Sequence, residues 1–79
     1  MSVEERLVEN GYDGAFYIAD TAYDDALIGV TADAVCVYDY ELMVEGLMAK
    51  EGCSREYAED HIHYNVLSAT PCIIVFRLI

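Results

Sequence analysis

The chain has 79 residues, of which 56% are hydrophobic, and fifteen Asp and Glu stand against four Lys and Arg for a net charge of −11. That length holds one domain spanning residues 1–79, and the apolar fraction exceeds the ~45–50% of average globular chains, which argues against disorder. Arg6, Lys50, Arg55 and Arg77 are too few and too scattered to release counterions from a phosphate backbone, so direct binding to nucleic acid or to an anionic membrane is not expected.

From the N-terminus, Val3, Leu7 and Val8 share one side of a short amphipathic helix over residues 3–9, which Asn10-Gly11 stops. Ala15-Phe16-Tyr17-Ile18-Ala19 reads as a strand, followed by an acidic loop over Asp20, Thr21, Ala22, Tyr23, Asp24 and Asp25. Ala26–Val30 and Val35–Tyr38 then form two antiparallel strands around a short connection. Asp39 stands at an N-cap position, and Tyr40, Met43, Val44, Leu47 and Met48 follow as one helical stripe.

Glu51-Gly52 ends that helix, and Ser54 caps a second one running to Leu67, with Ala58, Ile62, Asn65 and Val66 on its inner face. Pro71 forbids further helix, and Cys72–Phe76 reads as a strand apolar on both faces, hence central or covered. The expected fold is therefore α+β: a small antiparallel or mixed sheet of about four strands, a helical hairpin packed on one face and a short N-terminal helix. A short chain this rich in apolar residues leaves some of them outside, which fits a homodimer or an obligate partner.

Candidate chemistry is sparse. Cys36, Cys53 and Cys72 are odd in number and share no CxxC spacing, so neither a disulfide framework nor a zinc knuckle is indicated, and reduced cytosolic thiols are the expectation. Cys36 and Cys72 fall in strands, where thiols are inert, and only Cys53, at the turn between helices, is expected to be exposed. His61 and His63 are two apart on a helix and point in different directions, so no metal site is expected, and Asp20, Asp24 and Asp25 lack the alternation of a calcium loop. No phosphate loop or nucleophile motif occurs, no cofactor is implied, and the chain reads as a non-enzyme. The first residues have neither the basic nor the apolar part of a secretory signal, and the longest apolar run is far shorter than a membrane span, so a cytoplasmic protein is expected.

The charge favours a basic protein surface as partner. Candidate contacts are Asp20, Tyr23, Asp24 and Asp25 in the acidic loop, Tyr40, Glu41 and Glu45 on the first long helix, and Glu56, Glu59 and Asp60 on the second. Tyr12, Tyr23 and Tyr40, each flanked by carboxylates, are expected at a contact surface, while Tyr17, Tyr38 and Tyr64 are expected in the core.

Ala22-Tyr23-Asp24-Asp25-Ala26-Leu27-Ile28-Gly29-Val30, then Val37-Tyr38-Asp39-Tyr40-Glu41 and Leu47-Met48, continued by Glu51-Gly52-Cys53-Ser54, Glu56, Ala58-Glu59, Ile62 and Tyr64-Asn65, resemble short bacteriophage and prophage proteins of unknown function. The likeness spans about residues 22 to 71 and departs at Val35-Cys36, His61, His63 and Val66–Ser68. It implies a phage context and a host bacterial cytoplasm. In size and charge the chain is also similar to anti-CRISPR proteins, which implies an inhibitor that occupies a basic surface of a CRISPR effector or another nucleic-acid-binding complex. The alternative expectation is a homodimeric structural or regulatory module.

Overall fold

A computed structural model describes residues 2–78. Helix α1, Val3–Glu9, begins at Ser2, whose hydroxyl accepts from the Glu5 N–H. Val3 and Leu7 enter the core while Val8 stays exposed, because a two-turn helix touches the body along one narrow line only.

The expected strand over residues 15–19 is absent as a strand, and only an isolated bridge joins Phe16 to Val35. The central strand already has a neighbour on each edge, so this segment finds a partner only just outside it. Its backbone is held otherwise: the Ile18 N–H donates to the Tyr38 hydroxyl at 2.9 Å. The acidic loop is ordered as a 3-10 turn, Thr21–Ala26, with Asp20 as N-cap accepting from the Ala22 N–H at 2.9 Å.

Strands β1, Leu27–Val30, and β2, Cys36–Asp39, pair antiparallel with an irregularity between Leu27 and Gly29. Their connection is closed by Thr31, whose N–H donates to the Val35 carbonyl at 2.9 Å and whose hydroxyl accepts from the Val35 N–H at 3.1 Å. Ala34 takes the left-handed conformation there, with φ 64°.

Helix α2, Tyr40–Glu51, is capped by Asp39 through the Leu42 N–H at 3.1 Å and ends at Gly52, where φ is 65°. Tyr40, Met43, Val44 and Leu47 are buried and Met48 is half-buried, as the stripe requires. Gly46 lies on the side that meets the 3-10 turn, and a Cβ there would collide with the Ala22 carbonyl. Helix α3, Arg55–Ile62, is capped by Ser54 and continues as a π turn, His63–Leu67. Ala58, Ile62 and Val66 are buried, but Asn65 is exposed and bonds back to the His61 carbonyl.

The α2–α3 pair is the crossover that brings β3, Ile73–Val75, alongside β2 in parallel. The sheet is thus mixed and three-stranded, in the order β1-β2-β3. The last strand is an edge and not a central one, and its Ile73 is exposed, because β2 alone has neighbours on both sides. One side of the sheet gives Leu27, Cys36 and Tyr38 to a core shared with Met43, Val44, Leu47, Ala58 and Ile62. The residues in register on the other side, Gly29, Val37 and Ile73, remain partly or fully open, with Ile28 beside them.

Candidate functional site

The four basic residues decide where the acidic surplus lies, so their partners come first. Lys50, near the end of α2, donates to Asp20 Oδ1 at 2.9 Å and to the Thr21 hydroxyl at 3.3 Å. Arg55, opening α3, grips Glu41 with both Nη atoms, at 3.1 and 2.6 Å, and gives Nε to Glu59 at 3.2 Å. Arg77, after β3, donates Nε to Asp39 Oδ2 at 2.7 Å. Arg6 reaches the Asp24 carbonyl at 3.4 Å.

These pairings set the charges. Asp39 is held below the usual carboxylate range by Arg77 and by its backbone donors, against the opposing effect of burial. Asp20 is lowered by the Ala22 N–H and then by Lys50, and Glu41 by Arg55. Arg55, Lys50 and Arg77 are raised in turn, so all three stay cationic at any physiological pH. Every Lys and Arg is therefore engaged within the chain, while only Asp20, Asp39, Glu41 and Glu59 of the fifteen carboxylates form ion pairs among the described residues.

Six of the eight candidate carboxylates fall into two groups. Glu41, Glu45, Glu59 and Asp60 lie around Tyr40, Arg55 and Arg77. Asp20 and Asp24 lie with Glu51 around Lys50 at the other end of α2. Asp25 and Glu56 are exposed.

Two tyrosines expected at the surface are inside. Tyr23 is 1% exposed, with its ring in the core and its ionisation pushed up to about 12 by burial, and Tyr40 is buried beneath Phe76 and His63. Of the carboxylates next to Tyr23 and Tyr40 in sequence, Asp24 and Glu41 stay half-exposed and Asp39 is buried as the cap of α2, while the rings follow the apolar stripe of the 3-10 turn and of α2. Tyr12 is exposed. Tyr38 is buried, but Tyr17 and Tyr64, both expected in the core, are exposed, Tyr64 to 80%. Tyr64 lies in the π turn, which rotates it away from the face kept by Ile62 and Val66.

The histidines diverge: His63 meets the Tyr40 ring edge at 5.6 Å, and His61 stacks on Tyr57 at 6.1 Å. Cys53 is half-buried with its thiol toward the Leu47 carbonyl, and burial raises Cys36.

Between α2, α3 and the segment after β3 opens a cleft of about 320 Å³, lined by Tyr40, Glu41, Arg55, Glu59, Phe76 and Arg77. Phe76 and Arg77 were not among the sequence candidates. Their signal was slight: an aromatic at the end of an apolar run, followed by one of only four cations. Among the described residues, no helix is long and apolar enough to cross a membrane. No protein family, curated protein or solved structure matches the chain.

Proposed function

We propose that this protein is an acidic binding protein of the phage-inhibitor type, which docks on a Lys/Arg-rich surface of a host nucleic-acid-binding complex, a CRISPR effector being the first candidate, and keeps nucleic acid out. The supporting observation is the disposal of its cations. With Lys50, Arg55 and Arg77 each bound to a carboxylate and Arg6 turned to a backbone carbonyl, the remaining carboxylates present uncompensated negative charge to a partner. Carboxylates in that role stand in for phosphates, and Arg and Lys forks are the groups that receive them.

Competition measures this directly. Fluorescent nucleic acid bound to a CRISPR effector is displaced by the protein at low salt, displacement weakens steeply as salt rises, and Glu56→Lys with Asp60→Lys suppresses it. Absence of displacement, or displacement indifferent to salt and to charge reversal, rejects the reading.

One observation favours a second reading. Ile28 and Ile73 are exposed, Ile73 in register with half-buried Val37 on the side of the sheet away from the core and Ile28 next to Gly29 in the same row, and a second copy would cover that row. Sedimentation equilibrium distinguishes it: a dimer that dissociates in Ile28→Thr/Ile73→Thr, with no displacement of nucleic acid, supports the homodimer instead.

A further inference from the structure

The cleft between α2, α3 and the segment after β3 combines an aromatic wall with an excess of negative charge. Phe76 stacks on Tyr40 with centroids 4.6 Å apart and a 34° tilt, yet remains 58% exposed, so part of its ring has no protein cover. Each cation at the cleft already holds a carboxylate. Arg55 spends Nε, Nη1 and Nη2 on Glu41 and Glu59, and Arg77 gives Nε to Asp39. Glu45 and Asp60 lie within the same field. Glu41 and Glu59 line the cleft with the two guanidinium groups, and Asp39, Glu45 and Asp60 act on Arg77 or Tyr40 from around it, so the surrounding field favours a cation over an anion.

Size and shape narrow the cation. A volume of about 320 Å³ is at the small end of ligand cavities and is enough for one side chain. A planar guanidinium can lie on the open part of the Phe76 ring while its fork donates to a carboxylate, whereas an ammonium is a compact, strongly hydrated charge with no such plane. Glu59 bonds to Arg55 through Oε2 alone among the described residues, which leaves Oε1 as an acceptor.

Resting on the reading that this protein meets a basic surface, we propose that the cleft is the receptor for one arginine side chain of the partner, stacked on Phe76 and hydrogen-bonded to Glu59. It makes this end of α2 and α3 the anchor of the interface, and the other carboxylates a surrounding field that steers the partner in.

The test uses the whole protein and small probes: a blocked Gly-Arg-Gly peptide, its Gly-Lys-Gly and Gly-Glu-Gly counterparts, and inorganic phosphate, each titrated by NMR. The Arg peptide is expected to move the Phe76 ring and Glu59 signals first, and to bind about two- to five-fold more weakly to Phe76→Leu, which keeps an apolar contact on Tyr40 but removes the ring face. Glu59→Gln is expected to weaken it as well. Equal effects of the Arg and Lys peptides scattered over all the carboxylates, cleft signals moved by phosphate, or cleft signals that shift with protein concentration alone through a second copy's Arg6, each overturn the assignment. If Phe76→Leu keeps full affinity for the Arg peptide and full salt-dependent displacement of nucleic acid, the cleft is not the anchor and the acidic-surface reading stands. If the cleft takes the Arg peptide but no nucleic acid is displaced, the arginine receptor stands and the inhibitor reading falls.

Discussion

Asp39 accepts from Arg77 Nε at 2.7 Å through one carboxylate oxygen and from the Leu42 N–H at 3.1 Å through the other, so a single side chain caps α2 and ties down the segment after β3. Arg77 lies 38 residues from Asp39 in sequence. Asp39→Ala removes both bonds and leaves a helix N-terminus uncapped, which is expected to cost about 1–3 kcal/mol, most of it from the cap. Arg77→Ala, which spares the cap, costs less. Urea denaturation checks this: the midpoint falls in that order with the slope unchanged. An Asp39→Ala protein as stable as the parent would show that the bond to Leu42 carries no stability.

The same pair sets a dependence on pH. Arg77 and the backbone donors hold Asp39 below its ordinary value of 3.8, so the folded state binds its proton less readily than the unfolded chain does. The stability from this difference is therefore fully present above about pH 4 and is lost as pH falls through the folded value. Asp39→Asn cannot titrate. The parent is thus more stable than Asp39→Asn at neutral pH, and the gap closes as pH drops below about 4. Denaturation midpoints of the two proteins from pH 7 to pH 3 measure it, and a gap that stays constant contradicts the assignment.

Gly46 stands in the interior of α2, where a glycine ordinarily weakens a helix by about 1 kcal/mol relative to alanine. Its methyl would strike the Ala22 carbonyl, and backbone is slow to give way. Gly46→Ala is therefore expected to lose about 1–3 kcal/mol from overpacking, more than the gain in helix propensity. Gly29, on the open side of the sheet, has empty space where a Cβ would go and is the control. Gly29→Ala is expected to leave the thermal midpoint nearly unchanged while Gly46→Ala lowers it, and equal midpoints would mean that the 3-10 turn shifts freely.

The contrast between these glycines shows what the sequence could and could not disclose. Local chemistry was legible: Asp39 and Ser54 as caps, Gly52 as a terminator, and the stripe of Tyr40, Met43, Val44 and Leu47 each follow from spacing and residue type. Partnership across the chain was not. Residues 15–19 have strand composition, but whether they form one depends on a free sheet edge, and both edges of β2 are occupied. Cys72–Phe76 looks doubly covered, yet parallel pairing places it at the edge. Charge in the sequence does not say where a neighbouring ring goes: Tyr23 and Tyr40 are buried although carboxylates flank them, because an aromatic beside an acidic residue can still turn inward. The cleft was invisible for the same reason: it joins Glu41, Arg55 and Phe76, which only the folded chain brings together.

Two buried tyrosines give opposite expectations for the same substitution. The Tyr38 hydroxyl accepts the Ile18 N–H at 2.9 Å, so Tyr38→Phe leaves a partly buried amide without a partner and is expected to cost about 1–3 kcal/mol. The Tyr23 hydroxyl is buried with no hydrogen-bond partner among the described residues, and burial has already pushed its ionisation up to about 12. Tyr23→Phe removes only a desolvated group while keeping the ring that packs in the core, so stability is expected to stay level or rise by up to about 1 kcal/mol. Thermal and urea unfolding of both variants decide the point. A loss in Tyr23→Phe as large as that in Tyr38→Phe would reveal a partner for the Tyr23 hydroxyl, with bound water the first to look for, since a lone buried hydroxyl has nothing else to lose.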